Sequence, residues 1–308
     1  MKNVTNKTQQ YNKRIRLLQY CIFLAFPILQ FVVFYIIVNA NSFLLAFKQY
    51  ETDGSMTFVG FQNFKQLFYD MKTQLYFSAG LKNTLLAYVF SLIVGMSTGL
   101  FFSYYIYKKR FAHTFFKVVL FAPSVISSLV LVTVFRFFAD GFIPAFFNKV
   151  FDANMLGLFS ENSSIIPTLL VYSLWIGLGT PIMMYVGAMG NISDSVIEAA
   201  QIDGVTPLKE FAYIVLPQIF PTITVFISTG IAGIFSNQLN LFSFFAAQAS
   251  HENYTIGYLL YLKVYRSTGY IDYPYAAALG LIVTVITAIL LVTVRTILKR
   301  IDPMGDKR

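Results

Sequence analysis

Six separated runs of about twenty apolar residues leave this chain few ways to fold, because a helix of that length is what crosses an apolar layer of about 30 Å. The runs fall at Leu17–Asn39, Asn83–Tyr107, Phe115–Phe138, Ile165–Met189, Phe220–Phe245 and Tyr275–Leu298. Charged residues make up 12% of the chain and hydrophobic residues 56%, against about 25% charged in soluble domains. The expected fold class is therefore an all-α membrane protein with six transmembrane helices. The segments between the runs are loop-sized and leave no room for a separate soluble domain.

Orientation follows from the basic residues, which stay on the cytoplasmic side of span ends. With an even number of spans both termini share one side. That side carries Lys2, Lys7, Lys13, Arg14, Arg16, Lys108, Lys109, Arg110, Lys117, Lys209, Arg295, Lys299, Arg300, Lys307 and Arg308, which is 15 of the 23 basic residues. The expected organisation is a cytoplasmic arm over 1–16, a six-span core over 17–298 with a cytoplasmic loop over 191–217, and a cytoplasmic tail over 299–308. The net charge of +9 reads as this bias together with contact to membrane lipid, not as a nucleic-acid footprint. The first apolar run is too long for a secretory signal and lacks a small-x-small cleavage site, so it reads as an uncleaved span. Cys21 stands alone inside it and reads as a small buried apolar residue. In the loop that follows, Phe61, Phe64, Leu67 and Phe68 share one helical face and predict a short amphipathic helix lying against the membrane or packed over the bundle.

Several chemistries are disfavoured. The 14 acidic residues all fall outside the six expected spans, whereas ion-coupled carriers place carboxylates at bilayer depth. The chain has no G-x-x-x-x-G-K-[ST] phosphate cradle. His113 and His251 are too few and too far apart for a metal site.

The stretch "EAAQIDGVTPLKEFAYIVLPQIFP", Glu198 to Pro221, is longer than a connector needs, since loops between packed elements run about 4 to 6 residues. Ser195 and Glu198 have capping-box spacing, so a short helix is expected to start there. Asp203 and Gly204 then make a turn. Thr206 and Pro207 suit the N-cap and first position of a second helix, with Leu208, Phe211, Ala212 and Val215 as its apolar stripe. Pro217 and Pro221 are expected to bend the chain toward the fifth span. The predicted shape is a helix, a tight turn and a helix, exposing a carboxylate beside small residues for insertion into a partner's groove.

Glu198, Ala199, Ala200, Asp203, Gly204, Phe211, Leu216, Pro217 and Pro221 resemble the EAA signature of binding-protein-dependent ABC importer permeases in its sugar-type form. "FVGFQNF", "KNTLLAY", "LFAPSVISSLVLVTVFRFFADG" and "TIGYLLYLKVYRSTGYIDYPYAAALGLIVTVI" extend that resemblance to the first permease of maltose, glycerol-phosphate and multiple-sugar importers. The resemblance implies a type I permease fold, and ATPase-coupling roles for Glu198, Ala199, Ala200, Asp203, Gly204, Phe211, Leu216 and Pro217. It also implies three kinds of partner chain: a second permease in a heterodimer, two cytoplasmic ATPase subunits and an extracytoplasmic solute-binding protein. ATP and Mg would then sit on the ATPase, with no cofactor on this chain, in the plasma membrane of a prokaryote. The sequence departs from the family at "FSFFAAQASHENYT", where members carry a Thr-x-Gly-Gly-Pro-like turn.

Each candidate also has a plainer alternative. Glu198 is either a coupling carboxylate or only a helix cap. Arg136, near the end of the third span, either snorkels to the outer interface or lines the pathway. Tyr172 and Trp175 either pack or stack on a sugar. Ser236, Asn237, Gln238 and Asn240 on the fifth span either bond between helices or meet the solute; Ser236 and Asn240 would share a helical face. A path lined by amides, hydroxyls and aromatic faces suits neutral polyhydroxyl solutes. The rival function is a secondary carrier or facilitator with a partner-docking loop, and a membrane scaffold is the third possibility.

Overall fold

The computed structural model describes residues 19–51, 54–266 and 272–305; the expected arm over 1–16 and the final residues of the tail lie outside them. Among the described residues, five helices are long and apolar enough to cross a membrane: α1 (Gln19–Leu45), α3 (Leu75–Tyr107), α5 (Ser128–Phe151), α9 (Pro207–Ala232) and α12 (Tyr273–Ile301). α6 (Asn162–Gly177) and α7 (Gly179–Gly190) bend by 43° at their junction and pass the same test together, which is compatible with a sixth crossing if the pair is one span. Shorter helices are α2 (Gln62–Thr73), α4 (His113–Val125), α8 (Asp194–Ile202), α10 (Leu241–Phe245) and α11 (Ile256–Tyr265).

The chain divides into two compact units. In Met1–Leu67 with Ser267–Leu281, strands Lys48–Tyr50 and Met56–Phe58 pair antiparallel after α1. Asn63 pins this hairpin, its side-chain amide donating to Ala46 O at 2.9 Å and Lys48 O at 2.8 Å. Leu67 is fully buried while Phe61 and Phe68 are exposed, so the four residues expected on one face of α2 are split; Phe61 precedes the helix in a turn. Cys21 is exposed, contrary to expectation, because none of α1's most apolar window is buried within the chain.

The second unit, Phe68–Arg266 with Ile282–Arg308, contains the main bundle. Leu100 of α3, Tyr185 and Met189 of α7, Ile197 of α8, and Val215, Ile219 and Ile223 of α9 form one buried apolar cluster. The segment after α10 is tied to the start of α3. Asn83 Nδ2 donates to Glu252 O and Tyr254 O, both at 2.9 Å, and Thr84 Oγ1 accepts from Ile256 N at 3.0 Å. Thr255 caps α11 by accepting from Tyr258 N at 3.1 Å. The residues of "KNTLLAY" and "TIGYLL" thus satisfy buried backbone groups that hydrocarbon could not.

Two spans sit elsewhere than hydropathy places them. The third breaks at Pro123 and the extended residues Ile126 and Ser127, and its long helix α5 runs on to Phe151. Arg136 and Asp140 therefore lie within a helix long and apolar enough to span, paired at i,i+4, so Arg136 is not near the end of that helix and not every such helix is free of carboxylates. Glu210 is likewise inside a helix, because α9 already begins at Pro207. The fifth span begins at Pro207 and stops at Ala232, not at Phe245. A wider π-type turn over Phe211–Val215 precedes Pro217, where a missing N–H and a ring clash would strain an α ladder. Pro217 and Pro221 are accommodated within the helix, and "PLKEFAYIV" is its first part, not a separate element.

Candidate functional site

The EAA segment forms the expected helix–turn–helix with different end chemistry. Ser193 is the N-cap residue of α8, its ψ of 130° extended and its side chain making no cap bond; Ser195 is inside the helix, its hydroxyl 2.8 Å from that of Ser193. The capping box of Ser195 and Glu198 is not formed, and Glu198 is exposed with no capping duty. At the other end Val205 N bonds Ala200 O at 3.0 Å and Gly204 N bonds Gln201 O at 3.1 Å, the paired bonds of a Schellman turn. Gly204 has φ +69°, a conformation that costs an L residue about 1 to 2 kcal/mol. Thr206 is extended and Pro207 opens α9, as expected, although the Thr206 side chain makes no cap bond.

Burial sorts the signature residues. Ile192, Ile197 and Ala200 are buried and fasten α8 to the bundle. Glu198, Ala199, Ile202, Asp203, Gly204 and Leu208 are exposed. The stripe expected from Leu208, Phe211, Ala212 and Val215 is corrected: the inward face is Glu210, Phe211, Ile214 and Val215, with Leu208 and Ala212 outside. The π-type turn shifts the facing residues by about one position relative to an α period. Leu216 packs on the same cluster, and the Phe211 ring lies 4.9 Å from that of Tyr104.

Sequence reasoning missed what holds the second half of this loop. The Glu210 side chain, 4% exposed, accepts from Lys108 Nζ at 2.9 and 3.0 Å. The Tyr104 hydroxyl lies 3.2 Å from Glu210 Oε1 and 2.9 Å from Pro207 O, so its one proton is shared between them. In the sequence Lys108 bears only on orientation. A carboxylate one turn after a Pro at a helix start, beside a later apolar run, was the available signal.

The substrate-path candidates do not form one surface. Ser236, Asn237, Gln238 and Asn240 follow the end of α9 in non-helical turns, with Leu239 and Asn240 at φ +50° and +57°. No helical face joins Ser236 to Asn240, because α9 has already ended. Asn237 Oδ1 accepts from Leu239 N at 2.8 Å, and Asn237 O accepts from Thr255 Oγ1 at 2.9 Å. Asn237 also lines a cavity of 470 Å³ with Tyr88, Ser173, Leu174, Tyr185 and Phe226. Tyr172 is fully buried, its ring 4.9 Å from those of Phe135 and Phe244, which is a packing position. Trp175 is partly exposed and stacks on Phe135 at 6.1 Å. Arg136 donates to Phe244 O at 3.1 Å and lies 3.7 Å from Asp140, beside a second cavity shared with Thr133 and Ser243. Around the family departure, Tyr258 donates to Ala246 O at 2.8 Å, closing the turn after α10.

Among curated proteins, the multiple sugar-binding transport system permease protein MsmF of Streptococcus mutans is 29% identical over 274 residues, covering 87% of this chain and 90% of that protein. The arabinooligosaccharides transport system permease protein AraP of Halalkalibacterium halodurans is 26% identical over 276 residues, covering 86% and 83%. A crystal structure of a bacterial ABC transporter involved in import of the acidic polysaccharide alginate superimposes with a TM-score of 0.79 at 20% identity, covering 94% of this chain and 98% of that one. A crystal structure of a bacterial alginate ABC transporter in complex with an alginate pentasaccharide-bound periplasmic protein gives a TM-score of 0.77 at 20% identity, covering 95% of this chain and 97% of that one. The likeness in structure establishes the fold, that of an ABC importer permease. The family model for the binding-protein-dependent transport system inner membrane component matches residues 87–304, so this chain belongs to that family as a multi-pass membrane protein.

Proposed function

We propose that this chain is the transmembrane permease subunit of an ATP-driven, binding-protein-dependent importer of a sugar or oligosaccharide, working by alternating access. The observation that carries this is the EAA loop: α8, the Schellman turn at Gly204 and the start of α9 expose Glu198, Ala199 and Asp203 while Ile197, Ala200 and Val215 are buried in the bundle. Such a projection, rigidly rooted and exposed at its tip, suits insertion into a groove on a cytoplasmic ATPase. ATP and Mg then belong to that ATPase, and two such subunits need two EAA loops, this one and that of a second permease. Relatives named for multiple sugars and arabinooligosaccharides support a neutral carbohydrate as solute. So do the Asn237 amide, the Ser173 hydroxyl and the Tyr88 and Tyr185 rings that line one cavity.

The test is purification with the second permease, ATPase and binding protein, followed by ATP hydrolysis measured across neutral mono- to pentasaccharides. One saccharide is expected to stimulate hydrolysis only when carried by the binding protein. Uptake driven by an ion gradient, with hydrolysis unaffected by any loaded binding protein, would establish the secondary carrier instead.

A further inference from the structure

We propose that the buried Glu210 carboxylate, held by Lys108 and Tyr104, locks the EAA loop to the end of the second span, so that a push on the loop moves both together. This rests on the coupling role proposed above and makes these three residues positioning residues for it.

Glu210, at the start of α9, lies 102 residues from Lys108 and 106 from Tyr104, which stand at the end of α3. The apolar contacts around them, Phe211 on Tyr104 and Val215 in the core cluster, resist separation but are non-directional, so they allow one helix to slide or turn against the other. A carboxylate bonded through both oxygens to one ammonium removes that freedom, because charge-assisted bonds fix distance and angle. Tyr104 adds a third constraint by bonding the Pro207 carbonyl at 2.9 Å, a helix-start group next to the Schellman turn. A buried ion pair adds little net stability over well-packed apolar residues of the same size. Rigid registry between the loop and α3 is what this arrangement supplies that an apolar contact cannot.

The experiment compares solute imported per ATP hydrolysed by the reconstituted importer for wild type, Lys108→Met, Glu210→Gln, the swap Lys108→Glu with Glu210→Lys, and Tyr104→Phe. Each single charge variant is expected to hydrolyse ATP in response to the loaded binding protein yet import roughly tenfold less solute per ATP, with the swap recovering most of the loss. Tyr104→Phe, which removes only the hydroxyl, is expected to lower the ratio by about two- to fivefold and serves as the deciding variant if the charge variants do not assemble. An unchanged ratio in assembled single variants, or in Tyr104→Phe, overturns the lock, as does a swap no better than the singles. A wild-type chain that shows no ATP-dependent import fails the proposed function itself, a result separate from any of these.

Discussion

The two ends of α9 place polar residues in opposite ways. At its start, Glu210 is buried and bonded to another span while Glu198 and Asp203 are left outside. At its finish, the amide segment folds on itself: Asn237 bonds Leu239 N, and its own carbonyl is taken by Thr255. The first arrangement ties separate helices together and projects a tip. The second takes its hydrogen bonds from within the segment and from the cap of α11, and leaves Asn237 in the lining of the 470 Å³ cavity. Similar density of polar residues in sequence therefore serves registry at one end and shape at the other.

The largest expected effect breaks the second arrangement from outside it. A Cβ on Gly257 would stand 2.7 Å from Asn237 O and from Ser236 backbone atoms, so Gly257→Ala forces the 236–240 segment to shift. A destabilisation of about 1 to 3 kcal/mol is expected in thermal unfolding of the detergent-solubilised complex, with altered solute preference and normal ATPase binding. At the other end Gly204 has open space around it, so only its backbone matters. Gly204→Val is expected to cost about 1 to 2 kcal/mol and to weaken ATPase association in pull-down, whereas Gly204→Asn, which tolerates positive φ, retains it. Equal behaviour of the Val and Asn variants would show that the Schellman turn is irrelevant to docking. The smallest effect is Asn237→Ala, which removes one local hydrogen bond worth about 1 kcal/mol; uptake selectivity across the saccharide panel is expected to change while assembly stays intact. Loss of assembly with unaltered selectivity would assign Asn237 to packing.

Periodic and local signals were readable: the apolar runs announce helices, and Gly204, Thr206 and Pro207 mark where the loop turns and α9 begins. The EAA match named the outward residues through Glu198, Asp203 and Gly204. What went wrong lay at breaks and pairings. Hydropathy carried the fifth span through Phe245 because Phe242, Phe244 and Phe245 are as apolar as any helix, yet the helix stops at Ala232. It also placed Asp140 outside a span, since the break at Ile126 and Ser127 that moves α5 along the chain leaves no mark in average hydropathy.

The amino-acid order alone specifies a set of membrane helices, because a lipid interior forces every backbone group to be satisfied within a helix or against a neighbour, and helix length and apolarity are written residue by residue. It also determined the turn at Gly204, where one residue's allowed φ settles the path of the backbone. Packing between distant helices is what sets Glu210 against Lys108 and Tyr104, packs Tyr172 away between Phe135 and Phe244, and leaves the amides beyond a helix end. Those outcomes depend on which distant elements meet, and a side chain's surroundings in a bundle are set by helices tens to hundreds of residues away, whose contacts no local pattern encodes.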